Sequence, residues 1–234
     1  MTKIHPSSSA TGSGMPKSVS DEQQVVVLTV WKKSLLFNCT GFTVFNAKGN
    51  LVFRVDNYIS GNKGEIVLMD DAGKSLLTIR RKRLSLVADT WLVYDGETTA
   101  NPRFSVKKKQ GSLSNSKSLA HVSPGCGGNQ GQGNGGRGSG SGSGNGKSSS
   151  DDEKKKLIYE IEGSYAQRCC LIYDESRRCV AEMRPKEAVA GVCFGVDVFR
   201  LIVQPELDPT VAMALVILLD QMFGSKRFSG FNPQ

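Results

Sequence analysis

Apolar and polar residues alternate along this chain in short runs, each closed by Gly, Asn, Asp or Ser. Val25 to Val30, Phe42 to Phe45, Leu51 to Val55, Glu65 to Met69, Ser75 to Arg80, Leu84 to Val87 and Thr90 to Tyr94 read as strands. Their β-branched and aromatic residues suit a pleated, half-buried surface. Leu157 to Ile161, Cys169 to Tyr173, Cys179 to Met183, Val192 to Val196 and Val198 to Val203 read the same way, for a total of about a dozen strands. Three turns repeat one pattern, namely Asn46-Ala47-Lys48-Gly49, Asp70-Asp71-Ala72-Gly73 and Asp174-Glu175-Ser176-Arg177. Each joins two apolar runs and predicts a hairpin. Their acids lack the alternating ligands of a calcium loop, and Asp or Asn opening a turn accounts for them.

One segment departs from the strand pattern. Val211 to Leu219 is an unbroken apolar run preceded by Asp208 and Pro209 and followed by Gly224, Lys226 and Arg227. Asp208 suits an N-cap, Pro209 the first helical position and Gly224 the stop. The run is apolar on every face, which places the helix in a protein core or a membrane. About 15 residues reach only about 22 Å, against a hydrocarbon core of about 30 Å. Asp220 adds a charge, so the segment reads as a buried core helix resting on Val211, Met213, Leu215, Ile217 and Leu218.

Glycine sets the domain organisation, since 13 of the 26 glycines fall between Gly111 and Gly146. That stretch has too little apolar surface to order itself. The expected division is a disordered tail over 1–24, one β domain over 25–225 interrupted by a disordered Gly/Ser insert at about 110–153, and a tail over 226–234. An insert of this kind costs little closure entropy when its ends already meet.

Residues 1–24 lack the apolar run of a signal peptide, so the expected location is intracellular: cytoplasm, nucleus or the membrane periphery, with no spanning helix. In a reducing compartment the six cysteines, Cys39, Cys126, Cys169, Cys170, Cys179 and Cys193, are expected as free thiols, mostly buried. Asn38-Cys39-Thr40 is then a chance glycosylation match.

Gly41-Phe42-Thr43-Val44-Phe45, Gly49 to Asp56, Leu68-Met69-Asp70, Gly73 to Leu77, the Trp91 segment, Gln204-Pro205, Asp208 and Met213 to Asp220, in that order, resemble the plant LURP-one-related family. The resemblance runs from about Val25 to Phe223. It implies a Tubby-like fold, mainly β: a closed barrel of about twelve strands around a central hydrophobic C-terminal helix, related to phospholipid scramblases. The Gly/Ser insert and Pro209-Thr210 depart from the family pattern.

Catalysis finds little support. The only histidines are His5, in the N-terminal tail, and His121, at the insert, which leaves the expected barrel without a histidine base. Cys169-Cys170 with Cys179 lacks zinc-ligand spacing. Gly146-Lys147-Ser148 ends like a phosphate loop, but Ser141 stands where that motif needs Gly. No catalytic residue, metal or cofactor is expected.

Charge supplies the remaining candidates. The chain carries a net charge of +8, which favours anionic partners. Arg80, Arg81, Lys82, Arg83, Lys107, Lys108 and Lys109 form two runs, and Lys154 to Lys156 a third. The expected function is a non-enzymatic, monomeric binding module. Its ligand would be anionic membrane lipid, in particular phosphoinositide, and the family resemblance implies plant stress or defence signalling. The alternative is a protein-protein interaction scaffold without a lipid ligand. The basic runs also suit nuclear import, whereas direct nucleic-acid binding lacks an aromatic-plus-basic strand motif or a recognition helix.

Overall fold

The computed structural model describes residues 24–37, 39–58, 64–82, 90–109, 117–125, 157–188, 191 and 194–224. Along these run β1 (Val26–Trp31), β2 (Cys39–Phe45), β3 (Leu51–Tyr58), β4 (Glu65–Asp70), β5 (Ser75–Lys82), β6 (Thr90–Asp95), β7 (Phe104–Lys108), β8 (Ser118–Pro124), β9 (Tyr159–Ser164), β10 (Cys169–Asp174), β11 (Cys179–Pro185), β12 (Val198–Val203) and α1 (Pro209–Phe223).

Each strand pairs antiparallel with its sequence neighbours, and β1 pairs with β12 to close the barrel. Closure removes the free edges that an open sheet exposes. Strand alternation decides what faces inward. In β1 Leu28 and Val30 are buried, and in β12 Phe199, Leu201 and Val203. Gly41 is needed for close strand packing, because a Cβ there would meet the Val55 carbonyl oxygen at 1.7 Å.

The lumen is filled by α1, whose residues from Val211 to Leu219 are all buried. Val211, Met213, Leu215, Ile217 and Leu218 are among them. Eight strands close on side chains alone and sixteen leave a channel, so twelve leave room for one apolar helix. Asp208 caps the start by accepting the Thr210 N–H at 2.8 Å, and Pro209 sits in the first turn.

The helix gives the barrel two different rims. At the N-cap rim lie the three repeated turns. Asn46, Asp70 and Asp174 each accept backbone N–H bonds within their own turn. Gly49, Gly73 and Arg177 then adopt positive φ, and each ladder shifts register at the end of the strand that enters the turn. This is turn chemistry, as the sequence implied. At the C-cap rim lie the β1–β2, β9–β10 and β11–β12 connections and the end of α1.

The strand membership differs from the sequence reading in several places. β8 lies inside the span expected to be an insert at about 110–153. Its Ser, His and Pro content hides the alternation that puts Ala120 and Val122 inward, and pairing to β7 and β9 on both sides makes it a strand. β7 was also missed, because only Phe104, Ser105 and Val106 are buried before its lysines. His121 is therefore part of the barrel wall, contrary to expectation. Phe194 to Val196 is not strand, and Val192, Cys193 and Leu84 to Val87 lie outside the described residues. Cys169 and Cys179 are exposed rather than buried, on outward rows of β10 and β11, whereas Cys170 is buried and Cys39 half-buried. Cys126 lies outside the described residues.

Candidate functional site

The C-cap rim begins with an electrostatic need of the helix. The last carbonyls of a helix lack internal partners and carry partial negative charge, which favours cations. The last turn of α1 contains no basic residue. The barrel supplies them instead. Lys108, inward from β7, donates from Nζ to the Met222 carbonyl at 3.1 Å and lies 4.5 Å over the Phe223 ring. Lys32, just past β1, lies 2.6 Å from Asp220 Oδ1, and the same oxygen accepts the Tyr165 hydroxyl at 2.8 Å. Burial, and next the Asp220 charge, raise the Tyr165 phenol well above its usual range. It stays a donor at working pH.

Beside this cap, Arg168 is buried at positive φ. It donates to the Val196 carbonyl at 2.6 Å and the Tyr165 carbonyl at 3.1 Å, and stacks on the Tyr165 and Phe199 rings. One side chain thus ties the β9–β10 turn to the β11–β12 connection.

The antiparallel register carries both basic runs singled out in the sequence to this rim. Lys82 and Lys107 pair with Thr90 from opposite sides, so two cations 25 positions apart in sequence flank one residue on the outer wall. Both are exposed, as is Arg81 on the alternate row. Lys109 is half-buried, and its N–H donates to the Leu119 carbonyl at 2.9 Å. Arg80, half-buried on the outer wall, is already engaged: it pairs with Glu65 at 2.8 Å, donates to the Thr98 carbonyl and covers the Tyr94 ring. Lys108 is used by the helix end. Arg83 and Lys154 to Lys156 lie outside the described residues.

Sequence reading missed several cations at the same rim. Lys33 and Lys117 are exposed, and Lys186 is half-buried beside the Phe194 ring. They stand singly or in pairs along the chain, and only the strand directions show that they converge.

A serine, a histidine and a carboxylate also meet on the outer wall. Ser118 Oγ lies 3.2 Å and Glu160 Oε1 3.3 Å from His121, but both contacts fall on the same Nε2 atom. A nucleophilic relay needs them on different ring nitrogens. The arrangement instead steadies Glu160. Burial works to raise that carboxyl, but hydrogen bonds from Ser118 and His121 and the charges of His121 and Arg177 outweigh it, leaving a net lowering.

Twelve antiparallel strands closed around one apolar C-terminal helix define a helix-filled β-barrel protein. The family model described as LURP-one-related matches residues 26–135 and 141–220. Protein LURP-one-related 8 of Arabidopsis thaliana is 50% identical over 228 residues, covering 96% of this chain and 100% of that protein. Protein LURP-one-related 17 of Arabidopsis thaliana is 37% identical, covering 84% and 82%. Protein LURP-one-related 5 of the same plant is 40% identical, covering 84% and 83%. The chain belongs to the LURP-one-related family. A crystal structure of an Arabidopsis thaliana protein shares the fold, with a TM-score of 0.55, 20% identity, and coverage of 85% of this chain and 91% of that one. The names of these relatives state no enzymatic activity.

Proposed function

We propose that this protein is a non-enzymatic binding module that holds reversibly to anionic phospholipid, phosphoinositide in particular, through its C-cap rim. The observation that supports this most is the convergence of Lys33, Lys82, Lys107 and Lys117, at or next to the ends of β1, β5, β7 and β8, on the rim where the helix ends. Anionic surfaces contribute roughly 1 kcal/mol for each basic residue near them. Lys33, Lys82, Lys107 and Lys117 would then give roughly millimolar affinity, which suits a reversible tether. By likeness to Tubby-like and scramblase-like barrels, the tether would serve plant stress or defence signalling in the cytoplasm, at the membrane periphery and in the nucleus. Lipid scrambling is not part of this reading, since no helix among the described residues is long and apolar enough to cross a membrane.

The test is co-sedimentation with vesicles of stated phosphoinositide content. Wild type is compared with Lys33→Ala, Lys82→Ala, Lys107→Ala combined, and circular dichroism checks the fold. We expect headgroup-dependent binding that weakens roughly 100-fold in the triple variant at low salt. Binding no better than to neutral vesicles would refute the lipid reading. Salt-insensitive co-purification of one defined protein, with no vesicle binding, would favour the scaffold alternative.

A further inference from the structure

The cations are half of the C-cap rim, and the other half is apolar. Leu35 is 53% exposed, Leu36 39%, Phe37 96% and Val196 60%, and Phe194 is exposed beside them. These residues sit on adjoining connections, because Trp31 pairs with Val198 and the Lys32 N–H donates to the Asp197 carbonyl at 2.7 Å.

The β1–β2 connection is held so that its polar residue points in and its apolar residues point out. Ser34 is buried. Its hydroxyl donates to Asp56, a carboxylate 2.9 Å from Arg54 Nε, and accepts the Leu36 N–H at 3.0 Å. The Thr43 hydroxyl ties down the Lys33 carbonyl at 2.6 Å. A free loop with three consecutive large apolar residues would fold them onto the barrel. Here, with the anchoring bonds in place, Phe37 stands almost fully exposed, Leu35 about half exposed and Leu36 39% exposed.

The charges around this tip are complementary to phosphate. Lys33 lies 5.1 Å from the Trp31 ring and Lys186 5.4 Å from the Phe194 ring. Three nearby acids are neutralised locally: Asp56 by Arg54, Glu65 by Arg80 and Asp220 by Lys32. Glu187 lies 3.7 Å from Arg200, and Asp197 is half-buried. Aliphatic and aromatic tips interleaved with lysine match the interface of an anionic bilayer, where apolar side chains enter the acyl boundary and ammonium groups stay with the headgroups.

We propose that the β1–β2 connection is a membrane-insertion wedge. Leu35, Leu36 and Phe37, with Phe194 and Val196 beside them, enter the interfacial region of an anionic bilayer, while Lys33 and Lys186 meet its phosphates. This rests on the lipid reading above and adds an orientation to it, with the C-cap rim on the membrane and the three repeated turns facing away.

The test uses the full chain with vesicles of phosphatidylserine in phosphatidylcholine at an ionic strength of about 0.15 M. Leu35→Ser, Leu36→Ser, Phe37→Ser combined should weaken binding about tenfold or more, and Phe37→Ser alone should show a smaller loss in the same direction. All three side chains are exposed, so the fold should be retained, as circular dichroism will check. A tryptophan placed by Phe37→Trp, in a Trp31→Phe background, should be quenched by brominated acyl chains. Wild-type binding that the serine variant keeps in full overturns the wedge and leaves the lipid reading standing. No wild-type binding to any anionic vesicle overturns both. Concentration-dependent dimerisation in solution, abolished by the serine variant, would overturn the bilayer in favour of a second copy of the chain.

Discussion

The two rims of this barrel are built by opposite means. At the N-cap rim the turns and the helix start are set by local devices: Asp208 caps its own helix two residues on, and Asn46, Asp70 and Asp174 each fold their own hairpin, with longer-range pairs such as Arg103 and Asp208 at 3.6 Å added to them. At the C-cap rim the partners come from far along the chain. Asp220 is met by Lys32 and Tyr165, and the Met222 carbonyl by Lys108, 114 positions away. Local devices close a rim tightly at low entropic cost. At the C-cap rim the β1–β2 and β11–β12 connections carry the exposed apolar residues, with lysines at or next to the strand ends, on which the proposed function rests. Binding surfaces commonly lie on loops held by a rigid scaffold.

The two rims also hold different kinds of shifted group, and the buried thiol at the C-cap rim carries the largest expected effect. At the C-cap rim, burial, and secondarily the adjacent Cys169, push the Cys170 thiol up to about 12. A group raised in this way stays protonated in the fold after its unfolded counterpart has ionised. Its stabilising contribution is complete below about pH 9 and is lost as pH rises toward 12. Tyr165 works in the same direction above about pH 10. For Cys170 the loss is about 3 kcal/mol at pH 11. Urea unfolding between pH 8 and 11 should show it, and Cys170→Ala should flatten the alkaline limb. An unchanged slope would mean that the thiol ionises alike in both states. At the N-cap rim burial also raises Tyr159 and Cys179, but for Asp174 the sign reverses. The Arg178 N–H, with further help from the Arg178 side chain, holds the Asp174 carboxyl below its usual range, so its contribution is present above about pH 4 and lost as pH falls.

A pair of substitutions compares the helix ends directly. Asp208→Ala removes a local cap and should cost about 1 kcal/mol. Asp220→Ala strands both the Tyr165 hydroxyl and the Lys32 ammonium at a mostly buried position, and should cost about 2 kcal/mol. Denaturant midpoints measured at one pH would show the order. Equal costs would mean that the long-range cap contributes no more than the local one.

The sequence revealed the two rims unequally, for the same reason. The N-cap rim was readable where its devices are short motifs: the Asp208-Pro209 helix start and the three hairpin turns stand where expected. The α1 core was readable because nine apolar residues in a row have no surface interpretation. β7 and β8 were not, since their identity comes from neighbours on both sides rather than from their own pattern. The C-cap rim was visible only as scattered charge. Nothing in the runs of Arg80 to Arg83 or Lys107 to Lys109 distinguishes Arg80 and Lys108, which are engaged by other residues of the chain, from Lys82 and Lys107, which face solvent. The Leu35-Leu36-Phe37 run carries no mark of exposure in the sequence; the inward, buried Ser34 beside it is what turns it outward.

The smallest effect lies within the N-cap rim. Gly49 and Gly73 hold φ of 83° and 88° in the first two repeated turns, and Arg177 holds 62° in the third. A side chain at positive φ is strained where glycine is not. Arg177 offsets this through contacts 2.8 and 2.9 Å from Glu160 and Glu162 and a place over the Tyr173 ring, all largely solvent-screened. Two substitutions separate the terms. Arg177→Ala loses the contacts and keeps the strain, whereas Arg177→Gly loses both. The glycine variant should therefore melt roughly 2–4 °C above the alanine variant, with wild type between or level with glycine. If alanine and glycine melt together, the left-handed backbone costs nothing at this turn, and the third hairpin depends on Asp174 and its backbone bonds alone.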